Sequence, residues 1–211
     1  MTKAFGLVGM VTVVLVSSAA AIPAKRHHAT RGTRVKQVRR LSFEFVGQFQ
    51  NSPPAVTPAT HTHYGYLSYI RGVRAFRAGP ASETTALFTF FAEAPTLRVI
   101  PDGPLRIVTR VGKLTIYRDP SGNASFGKPE TFADGTRVLV GSFRQQVVLN
   151  TVNNSFTTFH RVTITSTRPF SVGGRMLQLG RVGQAFTIAF GGQGTMPGPP
   201  SGYIGGYGVS G

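Results

Sequence analysis

The stretch RVLVGSFRQQVVL (137–149), with NTVNNS (150–155) and FTTFHRVTITST (156–167) after it, decides the fold. In both long segments apolar and β-branched residues alternate with polar ones, which is the period of two expected of a β-strand. The short segment between them is rich in asparagine, a residue that favours turns. The pattern predicts two long antiparallel strands joined by a turn.

The same period recurs on both sides of this hairpin. It is found in LSFEFVGQF (41–49), HTHYGYLSYI (61–70), ALFTFFAEA (86–94), LRIVTRVGKLTIYRD (105–119) and QAFTIAF (184–190). The connections are short and turn-rich, and the body has no amphipathic helical pattern, which favours an antiparallel all-β fold. Because several strands exceed the usual length of about 5–6 residues, we expect a barrel of about eight strands, with a β-sandwich as the alternative.

The N-terminal residues have the layout of a signal peptide. Lys3 precedes the apolar run AFGLVGMVTVVLV (4–16), and small residues follow in SSAAA (17–21). This predicts a signal peptide over residues 1–21, with an uncleaved anchor or a buried helix as alternatives. The expected location is therefore secreted or cell-envelope associated. A chain without cysteine fits a bacterial exterior better than a small disulfide-rich secreted module.

Positive charge dominates the chain, with 23 Lys and Arg against 7 Asp and Glu. It is concentrated in KRHHATRGTRVKQVRR (25–40), so we predict a disordered basic arm over residues 22–40. An all-β domain is then expected over 41–194 and a Gly/Pro/Tyr-rich tail over 195–211. The arm would attract an anionic surface or polymer, and nucleic acid only without specificity. The alternative is charge that serves solubility alone.

His61 and His63 are candidate metal ligands, because residues two apart on a strand share a face, with side chains about 7 Å apart. A third ligand would have to come from His160, Glu44 or Glu93. The favoured interpretation is that the histidines end a proline-rich loop. We therefore predict no metal site and no cofactor.

Glu44 and Glu93 are the candidate catalytic residues, because they are the acids that fall inside predicted strands. An inward-facing glutamate between Phe43 and Phe45 would be desolvated, which raises the pKa of its carboxyl and suits a general acid or base. Such a barrel could be an isomerase or cyclase. The favoured alternative is that each glutamate pairs with an arginine, so an enzyme is not the first expectation.

Aromatic side chains could line a cavity instead of filling a core. A carrier of hydrophobic small molecules would need a cavity of at least a few hundred Å³. The predicted lining residues are Phe43, Phe45, Tyr66, Phe88, Phe90 and Phe143.

The exported all-β layout is similar to the allene oxide cyclase and dirigent type of barrel. This similarity is one of architecture, so no residue role follows from it. The favoured function is a noncatalytic β-domain protein that associates with the cell surface or another anionic extracellular partner through its basic arm. The alternatives are a carrier of a hydrophobic small molecule and a barrel isomerase or cyclase.

Overall fold

A computed structural model describes residues 35–53, 55–195 and 201–211 of the chain. No helix among these residues has the length and apolar character that crossing a membrane as a helix requires. The elements are β1 (Lys36–Val38), β2 (Ser42–Asn51), β3 (Thr60–Ile70), β4 (Phe88–Asp102), β5 (Leu105–Arg118), the 3₁₀ helix η1 (Pro129–Phe132), β6 (Thr136–Asn150), β7 (Ser155–Thr167), β8 (Phe170–Val172), β9 (Arg175–Leu179), β10 (Ala185–Thr195) and β11 (Ser201–Val209).

Eight strands form a closed antiparallel barrel in the order β10-β11-β2-β3-β4-β5-β6-β7. This confirms the predicted barrel over the sandwich. The alternation of apolar and polar residues sends one face of each strand inward, where phenylalanines from several strands meet. Phe45, for example, contacts both Phe90 and Phe190 edge to face. Strand β7 pairs with β10 and closes the sheet, so the barrel has no open sheet edge along its circumference.

The C-terminal residues differ from the predicted tail, because β11 completes the barrel between β10 and β2. In this strand Ile204 points inward, whereas Tyr203 and Tyr207 are exposed. Glycine occupies inward positions where a side chain would collide with the core. A Cβ atom on Gly208 would lie 2.3 Å from the Cζ atom of Phe43. The glycines that resemble a linker in sequence therefore make room for phenylalanine.

A small sheet, in the order β1-β9-β8, lies at the end of the barrel where β7 finishes. Thr167, the last residue of β7, donates its hydroxyl to the carbonyl oxygen of Leu179. Phe170, Leu177 and Leu179 of this sheet join the core of the barrel. Strand β1 pairs in parallel with β9 and falls inside the predicted disordered arm, so the described domain begins before residue 41. The predicted signal peptide (1–21) and the remainder of the arm (22–34) lie outside the described residues.

The connection between β5 and β6 covers part of the outer wall. Phe126 and Phe132 from this segment pack on Tyr64, and Phe126 also contacts Tyr66. The two tyrosines therefore point away from the barrel interior, as alternation along β3 requires.

Candidate functional site

A layer of polar side chains crosses the barrel interior. His61 and His63 on β3 and His160 on β7 all occupy inward positions. Each is at most 5% exposed. They meet because β3 and β7 face each other across the barrel, and the rings of His63 and His160 have centroids 5.7 Å apart.

His61 and His63 belong to a hydrogen-bonded chain that starts at Asn51. The Oδ1 atom of Asn51 contacts Nδ1 of His61, and the Nε2 atoms of His61 and His63 are 2.5 Å apart. Burial, and then nearby positive charge, holds the pKa of both imidazoles well below the ordinary value. In the neutral state this contact pattern assigns a proton to Nδ1 of His61, which donates to Asn51, and a proton to Nε2 of His63, which donates to His61.

Neither ring nitrogen of His160 has a hydrogen-bond partner among the residues that the structure describes. Its ring stacks on Phe143, with centroids 4.4 Å apart and planes 7° apart. Burial, followed by the positive charge of Arg110, lowers the pKa of His160 to about 3. The imidazole is therefore neutral over the physiological range of pH.

Arg110 supplies the positive charge of this region. It lies on β5, where the inward register includes Val108 and Leu114, and it is half-buried. Its Nε donates to the hydroxyl of Thr96 over 3.1 Å. Burial lowers the pKa of the guanidinium to about 10, so Arg110 stays positive at neutral pH. All seven acidic residues fall within the described ranges, and none of them forms an ion pair with Arg110 there.

Gln145 and Thr158 add further unpaired polar atoms. Gln145 is 1% exposed and Thr158 is fully buried. Within the described ranges, the amide oxygen and nitrogen of Gln145 and the hydroxyl of Thr158 have no hydrogen-bond partner. A buried polar group without a partner costs about 1–3 kcal/mol, and most are avoided in native proteins. Their concentration beside the histidines marks this layer as the candidate site.

A cavity of about 90 Å³ lies beside this layer, at the barrel end opposite the small sheet. We call it the mouth cavity. Some of its lining residues, such as Asn51 and Asn154, are partly exposed, so the cavity lies close to solvent. Its lining combines polar and apolar side chains, from Phe49, Asn51, His61, Val108, Arg110, Val147, Leu149, Asn154, Phe156 and Thr158, together with Gly194.

The predicted aromatic lining is largely a packed core. Five of the six residues, Phe43, Phe45, Phe88, Phe90 and Phe143, are buried in the core cluster, whereas Tyr66 lies on the outer wall. A central cavity of only about 20 Å³ remains among these and neighbouring side chains. Among the described residues, this central cavity is far smaller than the few hundred Å³ that a carrier was expected to need.

The candidate catalytic glutamates lie elsewhere. Glu44 and Glu93 are both exposed and point outward, because their neighbours along β2 and β4 fill the inward positions. They do not meet the geometric condition for a buried general acid or base. For the metal candidates, the described residues contain no group of three or more His, Asp or Glu side chains placed to bind a metal ion.

Three members of the polar layer were not predicted from sequence: Arg110, Gln145 and Thr158. A signal for Arg110 was present, because it lies two residues after Val108 and two before Gly112, on the apolar face of its strand. An arginine at an inward position is uncommon, and it stands out from the arginines at outward positions.

Comparison of the chain with known protein families, curated proteins and solved structures finds no match. The interpretation of the site therefore rests on its own residues.

Proposed function

We propose that this chain is a binding protein whose barrel holds a small organic anion, a short-chain carboxylate, in the mouth cavity. The observation that carries the proposal is Arg110, a half-buried guanidinium that lines the cavity without a carboxylate partner. Burial disfavours an unpaired charge, and a bound anion offsets this cost with charge-assisted hydrogen bonds.

The remaining lining fits the other parts of such a ligand. The hydroxyl of Thr158 has no partner in the part of the chain that the structure describes, so it can donate to a carboxylate oxygen. Val108, Val147 and Phe156 provide an apolar wall for a short alkyl group. His61, the histidine among the lining residues, is neutral and uses both ring nitrogens on Asn51 and His63, so Arg110 alone sets the preference for an anion.

Size limits the ligand. A dry cavity of about 150 Å³ accommodates benzene, and the mouth cavity is smaller, at about 90 Å³. It has room for a carboxylate with a few carbon atoms, and a longer chain would extend out of the barrel end. A protein that binds such a small carboxylate differs from a carrier of large hydrophobic molecules.

The test is calorimetric titration of the purified protein with acetate, butyrate and hexanoate, and with butyramide as the neutral match to butyrate. We expect butyrate to bind at least about tenfold more tightly than butyramide, because hydrogen bonds to charged groups are worth about 1.5–3 kcal/mol. Affinity should rise from acetate to butyrate and then level off as the cavity fills. Equal binding of butyrate and butyramide, or no binding of either, would contradict the proposal.

A pair of variants on β5 locates the site. Arg110→Gln should weaken butyrate binding about tenfold or more and leave the weak binding of butyramide unchanged. Lys113→Gln is the matched control, because Lys113 is exposed on the outward face of the same strand. If both variants bind butyrate as the unaltered protein does, Arg110 is not the anion-binding group.

The predicted secretion and the attraction of the basic arm to an anionic surface concern residues 1–40, of which 1–34 lie outside the described ranges. Both stay predictions.

A further inference from the structure

Four inward side chains form one continuous polar row across adjacent strands of the barrel. Thr96 on β4 is directly opposite Arg110 on β5. Arg110 is opposite Gln145 on β6, and Gln145 is opposite His160 on β7. Residues in this relation have Cβ atoms about 4.5–5.5 Å apart. On the inner wall, Gln145 therefore lies between Arg110 and His160.

This polar row lies at the inner end of the mouth cavity. Arg110 belongs both to the row and to the lining of the cavity. One step nearer the mouth, Val147 is opposite Val108 on one side and Thr158 on the other, and all three line the cavity. A ligand in the cavity can therefore reach the polar row with one end and contact valine side chains with the other.

Gln145 and His160 need a hydrogen-bond donor that a plain carboxylate does not supply. Among the described residues, neither amide atom of Gln145 and neither ring nitrogen of His160 has a hydrogen-bond partner, although the two side chains are opposite each other. The amide oxygen of Gln145 can only accept, and a neutral imidazole has one nitrogen that accepts. A carboxylate has no hydrogen to donate, so butyrate in the cavity leaves these buried acceptors unpaired.

The charge of Arg110 decides which donor the ligand carries. An ammonium group beside the carboxylate would be repelled by the guanidinium, and no acid among the described lining residues could pair with that ammonium. A hydroxyl has no charge, and it both donates and accepts a hydrogen bond. A hydroxyl on the ligand therefore fits the polar row better than an amine.

We propose that the ligand of the mouth cavity is a short hydroxycarboxylate whose hydroxyl is one or two carbons from the carboxylate, and that Gln145 recognises this hydroxyl. The inference rests on the proposed function and adds the class of ligand to it. The carboxylate binds Arg110, and the amide oxygen of Gln145 accepts the hydrogen of the hydroxyl. His160 donates its ring hydrogen to the hydroxyl oxygen. The remaining carbons lie against Val108 and Val147.

The first test is calorimetric titration of the purified protein with butyrate, with the separate enantiomers of 2-hydroxybutyrate and 3-hydroxybutyrate, and with 2-aminobutyrate. We expect at least one hydroxybutyrate to bind at least about tenfold more tightly than butyrate, because a site built around a hydroxyl leaves its own polar groups unpaired when the hydroxyl is missing. The amine should bind more weakly than butyrate. If no hydroxybutyrate reaches that factor, or if 2-aminobutyrate binds most tightly, the proposal is overturned.

A pair of variants on β6 assigns the hydroxyl to its partner. Gln145→Leu removes both amide atoms and should reduce the ratio of hydroxybutyrate to butyrate affinity at least about threefold. The midpoint of urea unfolding should not fall, because an apolar group replaces a buried polar group that has no partner within the described ranges. Gln146→Leu is the matched control, since Gln146 is exposed on the outer wall. Equal ratios in the two variants would overturn the assignment to Gln145.

The proposed function and this inference can fail separately. If butyrate binds more tightly than butyramide and no hydroxybutyrate binds more tightly than butyrate, the carboxylate site stands and the hydroxyl site is overturned. If Arg110→Gln weakens the binding of neither butyrate nor the hydroxybutyrates, the carboxylate site is itself contradicted and this inference fails with it.

Discussion

Acidification from pH 6.5 to pH 5 is expected to lower the free energy of unfolding by about 2 kcal/mol through His160 alone. The folded-state pKa of His160 is about 3, below the ordinary value of 6.5, because burial disfavours its charged form. Between these two values the unfolded chain binds a proton that the folded chain does not bind. The stability that neutral His160 contributes is therefore fully present well above pH 6.5 and is lost as the pH falls from 6.5 towards 3.

His61 and His63 act in the same direction, since the pKa of each is also well below the ordinary value. The measurement is the urea concentration at half unfolding, followed at intervals of pH in low-salt buffer. The range from pH 6.5 to 5 is the informative one, because ordinary carboxylates titrate mainly below it. A free energy of unfolding that is equal at pH 5 and pH 7 would contradict a buried, neutral histidine layer.

The substitution His160→Gln isolates one member of the layer. It should reduce the pH dependence between pH 6.5 and 5 by about 1.4 kcal/mol per pH unit, which is the contribution of one proton. Lys113→Gln changes a charge on the outer wall and should leave the slope as it is. If His160→Gln also leaves the slope unchanged, His160 is protonated in the folded state and the packing against Phe143 does not hold it neutral.

The fold was predictable because its main determinant is local. A period of two along each segment gives strands, and their length and number favour a closed barrel. The same period correctly put Glu44 between two residues of the opposite face. The favoured interpretation that His61 and His63 end a proline-rich loop was wrong, because both lie inside β3, where the alternative of two histidines on one face of a strand holds. Once a strand is recognised, its sequence alone therefore predicts on which face of the strand each side chain lies.

What sequence did not supply is register between strands far apart in the chain. Strand β11 pairs with β2, and β7 lies across the barrel from β3, which brings His160 to His63. Strand β11 is difficult to recognise from sequence because glycine occupies most of its inward positions, where a larger side chain would collide with the core. The mouth cavity likewise depends on strands β2, β3, β5, β6, β7 and β10 meeting at one end. No local pattern encodes that meeting.

Gly65→Ala is expected to destabilise the barrel by about 3 kcal/mol or more. This substitution tests a contact that depends on the register between β2 and β3. Gly65 on β3 and Gly47 on β2 are directly opposite each other, and the ring of Phe90 lies against both. A Cβ atom on Gly65 would lie 2.2 Å from the carbonyl oxygen of Val46 and 2.6 Å from the Cα atom of Gly47. Both are backbone atoms, so no side-chain rotation relieves the overlap and the strands themselves must separate.

Gly205→Ala is the matched control for this substitution. Gly205 lies on the outward face of β11, and the nearest atom to an added Cβ is 3.8 Å away. The alanine there should leave stability unchanged or raise it by up to about 1 kcal/mol, because glycine in a strand loses more backbone entropy on folding. Urea unfolding of the two variants, monitored by circular dichroism, gives the comparison. Equal midpoints would contradict the pairing of Gly47 with Gly65, because the crowding at Gly65 follows from that pairing.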